Sequence, residues 1–167
     1  MSSDRSNRAD HADSAALAAQ WLHAIAREEI AGALESIYAR ASSEIASRGP
    51  ACWASGRCCN FERTGHRLYV TGLEAAYALA RASRSVTLAD IDAARARGGC
   101  PFQEQNLCGI HTIKPVGCRV YFCDRSAQSW QRDLCERLVA DIRELHDAHQ
   151  VEYRYGEWRA MLSMFAG

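Results

Sequence analysis

Apolar positions recur at spacings of three and four from Ser14 to about Ser47, through Leu22, Ile25, Ile30, Leu34, Ile37, Tyr38, Ala41 and Ile45. That spacing lines one face of an amphipathic helix. Gly32 is the point inside it where a helix would loosen or divide, and Gly49-Pro50 stops it. A loop follows over 51–60, then a short extended stretch around Arg67 to Val70. Thr71-Gly72-Leu73-Glu74 has the form of a capping box, so a helix should run on through Ala75, Ala76, Leu79 and Ala80. Thr87-Leu88-Ala89-Asp90 opens a second helix that ends at Gly98-Gly99.

Between residues 100 and 123, Pro101, Gly109, Pro115 and Gly117 predict mostly turns. Trp130, Leu134, Leu138, Ile142 and Leu145 then mark the buried stripe of a helix from about Ser126 to His149. Residues 152–165, with Tyr153, Tyr155, Trp158, Leu162 and Phe165, read as a short terminal helix. No internal repeat or low-complexity segment interrupts this order.

The chain has 167 residues, a length suited to one domain with a real core. Formal net charge is zero, so nothing favours a nucleic-acid partner. No stretch reaches the length of a membrane span, and no membrane partner is expected. Residues 1–12 are polar, with Asp4, Arg5, Arg8 and Asp10, and lack the apolar region of a secretory signal. They are expected to form a disordered tail on a cytoplasmic protein, with residues 13–167 as the domain.

Cysteine changes this picture most. Seven of the eight cysteines fall within 72 residues, as Cys52, Cys58, Cys59, Cys100, Cys108, Cys118 and Cys123. They form two groups separated by helices. Disulfides are rare in the cytosol, and vicinal Cys58 and Cys59 do not bridge without strain. Soft thiolates select zinc, copper(I) or iron–sulfur clusters, and two loops meeting at one centre are a common way to build such sites. A thiolate centre is negative and needs cations around it. Residues 50–125 carry ten Arg or Lys against six Asp or Glu, and Arg57, Lys114 and Arg119 adjoin candidate ligands. Fold class follows as mainly α, with helices flanking an irregular cysteine-rich metal-binding centre over residues 51–124.

The order of these motifs resembles the YkgJ-type CxxCxxCC family, a zinc- or iron-chelating domain. Cys58-Cys59, Cys100-Pro101-Phe102, Cys108-Gly109-Ile110, Pro115-x-x-Cys118-Arg119 and Cys123 follow the family order. Val70-Thr71 and Glu74 stand where the family tends to start a helix. The resemblance covers about residues 51–124 and implies a cysteine-held iron–sulfur or zinc centre. One group resembling this domain methylates flagellin lysines, but the flanks here show no methylase motif, and that activity is not carried over.

Three departures matter. Ser55 stands at the family's second cysteine, His111 at a tyrosine and Lys114 at an arginine. Seven thiolates do not complete two four-cysteine sites. Either one site is open, or another residue ligates, or some cysteines are not ligands. Cys108-x-x-His111 has ligand-like spacing. The preferred reading of His111 is a partly buried ring replacing an aromatic neighbour. Cys135 falls outside the pattern and reads as a structural thiol. His146 and His149 share a helix face, and their charged neighbours suggest a solvated one.

Three functions are therefore set against each other. The first is an iron–sulfur protein with a redox or catalytic cluster and an electron partner. The second is a zinc-stabilised binding module without catalysis. The third is a metal-free thiol protein, redox-active through Cys58 and Cys59.

Overall fold

The long amphipathic pattern breaks at Ala26-Arg27 rather than at Gly32. The computed structural model describes residues 3–50, 56–122 and 127–166, with the backbone alone for 3–11. Helix α1 spans Ser3–Ile25, beginning inside the stretch expected as a tail, and α2 spans Glu28–Arg48. Arg27 is extended at the junction, and Glu28 and Glu29 occupy the first turn of α2, where negative charge suits the helix dipole. Gly32 lies within α2 with open space around it. The helix ends as read: Gly49 adopts the left-handed conformation and returns its N–H to the Ile45 carbonyl.

The division changes which residues are buried. Trp21 is fully buried and donates its indole N–H to the Glu152 carbonyl at 2.8 Å, whereas Leu22 is 40% exposed. Helix α2 buries Ile30, Leu34, Ile37, Tyr38 and Ala41.

After a single 3-10 turn at Arg57–Cys59 come α3 (Phe61–Thr64), β1 (Tyr69–Thr71) and α4 (Gly72–Arg81). The expected capping box forms, and the second N-terminal signal proves to be one as well. Thr71 Oγ1 accepts from the Glu74 N–H while the Glu74 carboxylate accepts from the Thr71 N–H, and Thr87 with Asp90 repeats the exchange at α5 (Leu88–Ala96). The turn-rich stretch holds a two-residue hairpin, β2 (Gln103–Glu104) and β3 (Leu107–Cys108), and then α6 (Val116–Val120). Helix α7 (Gln128–Ala148) buries Leu134, Leu138, Ile142 and Leu145 as its periodicity predicts.

The terminal segment departs from the expected single helix. Strand β4 (Tyr155–Glu157) precedes α8 (Trp158–Ser163) and pairs antiparallel with β1, Val70 opposite Gly156. Helix α1 packs on α4, α2 on α7 and α6, and α8 on α4 and α5. One continuous core runs through these contacts from Trp21 to Trp158. Across its surface Arg137 reaches Glu44 at 2.7 Å and Arg40 pairs with Asp141, tying α7 to α2. Among the described residues no helix is long and apolar enough to cross a membrane.

His146 is buried rather than on a solvated face. Its Nδ1 lies 3.1 Å from the Glu152 carbonyl and 3.3 Å from that of Val151, and Nε2 is buried without a hydrogen-bond partner among the described residues. Burial lowers its pKa below the ordinary 6.5, outweighing the two carbonyls. The unfolded chain therefore binds this proton first as pH falls. Stability is full above about pH 6.5 and declines as pH drops through the folded-state value. Urea unfolding from pH 7.5 to 5 should show that decline, and His146→Gln should flatten it. An unchanged slope in the variant would assign the effect elsewhere.

Candidate metal centre

The two cysteine groups meet through the backbone before their side chains do. The Cys100 N–H donates to the Cys59 carbonyl at 2.9 Å, and the Glu62 N–H donates to the Gly98 carbonyl at 3.0 Å. Gly56 fits against the β2–β3 hairpin. Its carbonyl accepts from Gln103 Nε2 at 3.0 Å, and its φ is +67°. A Cβ there would come within 2.3 Å of the Asn106 carbonyl oxygen. Gly56→Ala should therefore cost about 2 kcal/mol or more of unfolding free energy, combining left-handed strain with a backbone clash. Urea titration checks this, and a loss below about 0.5 kcal/mol would show that the loop gives way freely.

This scaffold places the Cys59 thiol in interaction with those of Cys100, Cys108 and Cys58, in that order of strength. Cys59 and Cys100 are buried, Cys108 is half-buried and Cys58 is exposed. The neighbouring Cys59 thiol is the first cause lowering the other three, with Cys58 brought down to about 6, Cys108 down to about 7 and Cys100 lowered as well. Cys59 itself is pushed up by these same neighbours and by burial. The four thiols thus titrate together rather than singly. Lys114 adds a positive charge that further lowers Cys58 and Cys108.

Trp158 supplies a donor that the sequence pattern did not reveal. Its buried indole N–H points at Cys100 Sγ, 3.4 Å away. Phe102 packs against the same indole with ring centroids 5.8 Å apart.

Cys118 adjoins this group from α6. Burial is the main cause pushing its thiol well up, followed by the charges of Cys100 and Cys108. Glu74 holds that helix in place. Its carboxylate is 1% exposed and accepts from the Thr71 N–H at 2.9 Å, Thr71 Oγ1 at 3.1 Å and the Val116 N–H at 2.8 Å. One side chain therefore caps both α4 and α6. Burial pushes its carboxyl up, and these donors hold it back. Arg119, expected beside the ligands, lies with its guanidinium carbon 4.1 Å from the Tyr38 ring centroid and donates to the Thr112 carbonyl at 2.8 Å.

The remaining candidates separate clearly. Cys52, Ser55 and Cys123 lie outside the described residues. Cys135 belongs to another region, on α7, with its thiol pushed up to about 11 chiefly by burial. His111 is exposed rather than partly buried, with Nε2 3.5 Å from Lys114 Nζ. Among the described residues no three Cys, His, Asp or Glu side chains stand in a ready-made metal-holding arrangement. The four interacting thiols still suit a soft metal by their chemistry. They come from two loops joined by the Cys100 N–H to Cys59 carbonyl bond, three of the four have lowered pKa values, and one sulfur already receives an N–H.

No family model matches the chain, and no curated protein or solved structure does.

Proposed function

We propose that this chain is a cysteine-ligated metal-binding protein of the YkgJ type. Cys58, Cys59, Cys100 and Cys108 form the heart of its centre, Cys118 stands beside them, and Cys52 and Cys123 complete the donor set. The backbone bond from the Cys100 N–H to the Cys59 carbonyl, which brings the two cysteine loops together, carries this reading, and the mutual effect of the four thiols on one another supports it. Thiols gathered in this way cost free energy by desolvation unless something compensates, and a bound soft cation does so.

An iron–sulfur cluster is the favoured occupant, and it would supply one-electron chemistry. Two features support it over zinc. Trp158 directs an N–H at Cys100 Sγ, and hydrogen bonds to sulfur are a main control on cluster potential. Lys114 brings positive charge to Cys58 and Cys108. Exposed Cys58 is the edge nearest solvent and the natural side for an electron partner.

Elemental analysis of protein purified without air, and without an affinity-metal step, tests the proposal. Iron with matching sulfide is the expected result. Zinc alone would make the metal a fold-holder in a non-catalytic binding module. Protein free of both, with all eight thiols reacting without chelator, would overturn the metal reading.

A further inference from the structure

A cavity of about 260 Å³ opens between α6, α7 and the β1–β4 ribbon. Cys118 does not line it, although Gly117 and Val120 on the same helix do. Its walls are aromatic. His66 and Tyr121 stack with centroids 3.9 Å apart and planes 19° from parallel, and Tyr69 and Tyr155 lie 5.8 Å apart. The two tyrosines of the ribbon are 41% and 44% exposed, an unusual outlay of aromatic surface.

Among the described residues the charged side chains at this cavity have one sign: Arg67 and Arg132 line it, and no Asp or Glu does. Arg132 has a loose ion pair with Glu136 at 3.6 Å, both side chains well exposed. Arg67 has no ion pair among the described residues. His66, Cys135 and Tyr155 in its lining stay uncharged near neutral pH. Burial lowers the pKa of His66 and raises those of Cys135 and Tyr155. The interior is thus a neutral, ring-lined slot with guanidinium groups at its edge. An apolar cavity of roughly 150 Å³ accommodates one benzene, so this volume suits a single substituted ring.

We infer that this cavity binds a small planar anion, one aromatic or heteroaromatic ring bearing a carboxylate. The ring lies among the aromatic walls and the carboxylate meets Arg67. A guanidinium pairs with a carboxylate through two parallel N–H donors, which fixes orientation as well as affinity. Of the cysteines, Cys135 alone among the described residues lines the site, and the inference does not depend on which metal the others hold.

Calorimetric titration of the protein as purified tests this with benzoate as probe. Benzyl alcohol keeps the ring without the charge, and acetate keeps the charge without the ring. Benzoate should bind saturably, with both controls at least tenfold weaker. Arg67→Gln should weaken benzoate roughly tenfold or more and leave benzyl alcohol unchanged. Cys135→Phe, which fills the slot, should abolish benzoate binding. Arg67 is exposed, so its variant folds even if the filled one does not. No saturable heat at millimolar benzoate would overturn the proposal, and so would equal affinity of wild type and Arg67→Gln for benzoate.

Discussion

Replacing Cys59 by serine is expected to leave the purified protein with about a tenth or less of the wild-type metal content. Cys59 is the thiol that most affects Cys58, Cys100 and Cys108, so its loss removes a central sulfur donor while the backbone bond from Cys100 to the Cys59 carbonyl still joins the loops. Altering even an outer partner of a metal ligand typically costs 10- to 100-fold in affinity, and a ligand should cost at least as much. The same variant should melt at lower temperature, because metal binding contributes folding free energy directly. Cys135→Ser is the matched control. Its thiol lies on α7 beside the aromatic cavity and should leave metal content unchanged. Full metal retention in Cys59→Ser would remove that cysteine from the donor set.

Glu74→Ala should lower unfolding free energy by about 3–5 kcal/mol. The loss would leave two backbone N–H groups and one hydroxyl without their acceptor in a buried place. Each such orphaned donor costs on the order of 1–3 kcal/mol. Glu74→Gln keeps one acceptor oxygen and should cost about half as much. Because the carboxylate caps α6 at Val116, two residues before Cys118, Glu74→Ala should also release metal faster to a chelator. Urea unfolding and chelator kinetics report the two effects separately. A loss under about 1 kcal/mol would show that α6 is held by its packing alone.

Helices were legible wherever a stripe was long enough to show its period. Leu134, Leu138, Ile142 and Leu145 lie in a single buried line along α7. A capping box at Thr71 and an N-terminal signal at Thr87 identified the starts of α4 and α5 because such signals are local, lying within four residues. Local patterns also hid things. The break at Ala26-Arg27 leaves the apolar spacing almost undisturbed, so only Glu28 and Glu29 hinted at a fresh N-terminus. Strands β1 and β4 have three residues each, too few to show an alternation.

Within the candidate site, spacing and flanking residues singled out the cysteines as candidates but said nothing of their partners. The reach of Glu74 to Val116 spans 42 residues and that of Trp158 to Cys100 spans 58. No periodic pattern carries contacts of that range. The capping box explained only half of Glu74, the half facing Thr71. His146 was misread because Glu144 and Asp147 are its neighbours in sequence, whereas the fold turns it against Val151 and Glu152.

The pairing of β1 with β4 has a consequence for biosynthesis. Synthesis proceeds from the N-terminus, so all four interacting thiols leave the ribosome well before Trp158 and β4 do. Until those late residues arrive, β1 has an unpaired edge and Cys100 lacks its indole neighbour. Contacts so distant in sequence form slowly, because closing a long loop comes before any reward from the contact. The nascent protein therefore passes through an interval in which Cys59 and Cys100 are present and the contacts that bury them are not. Oxidants during synthesis should reach those two thiols more readily than in the finished fold, whereas Cys58 stays exposed in both.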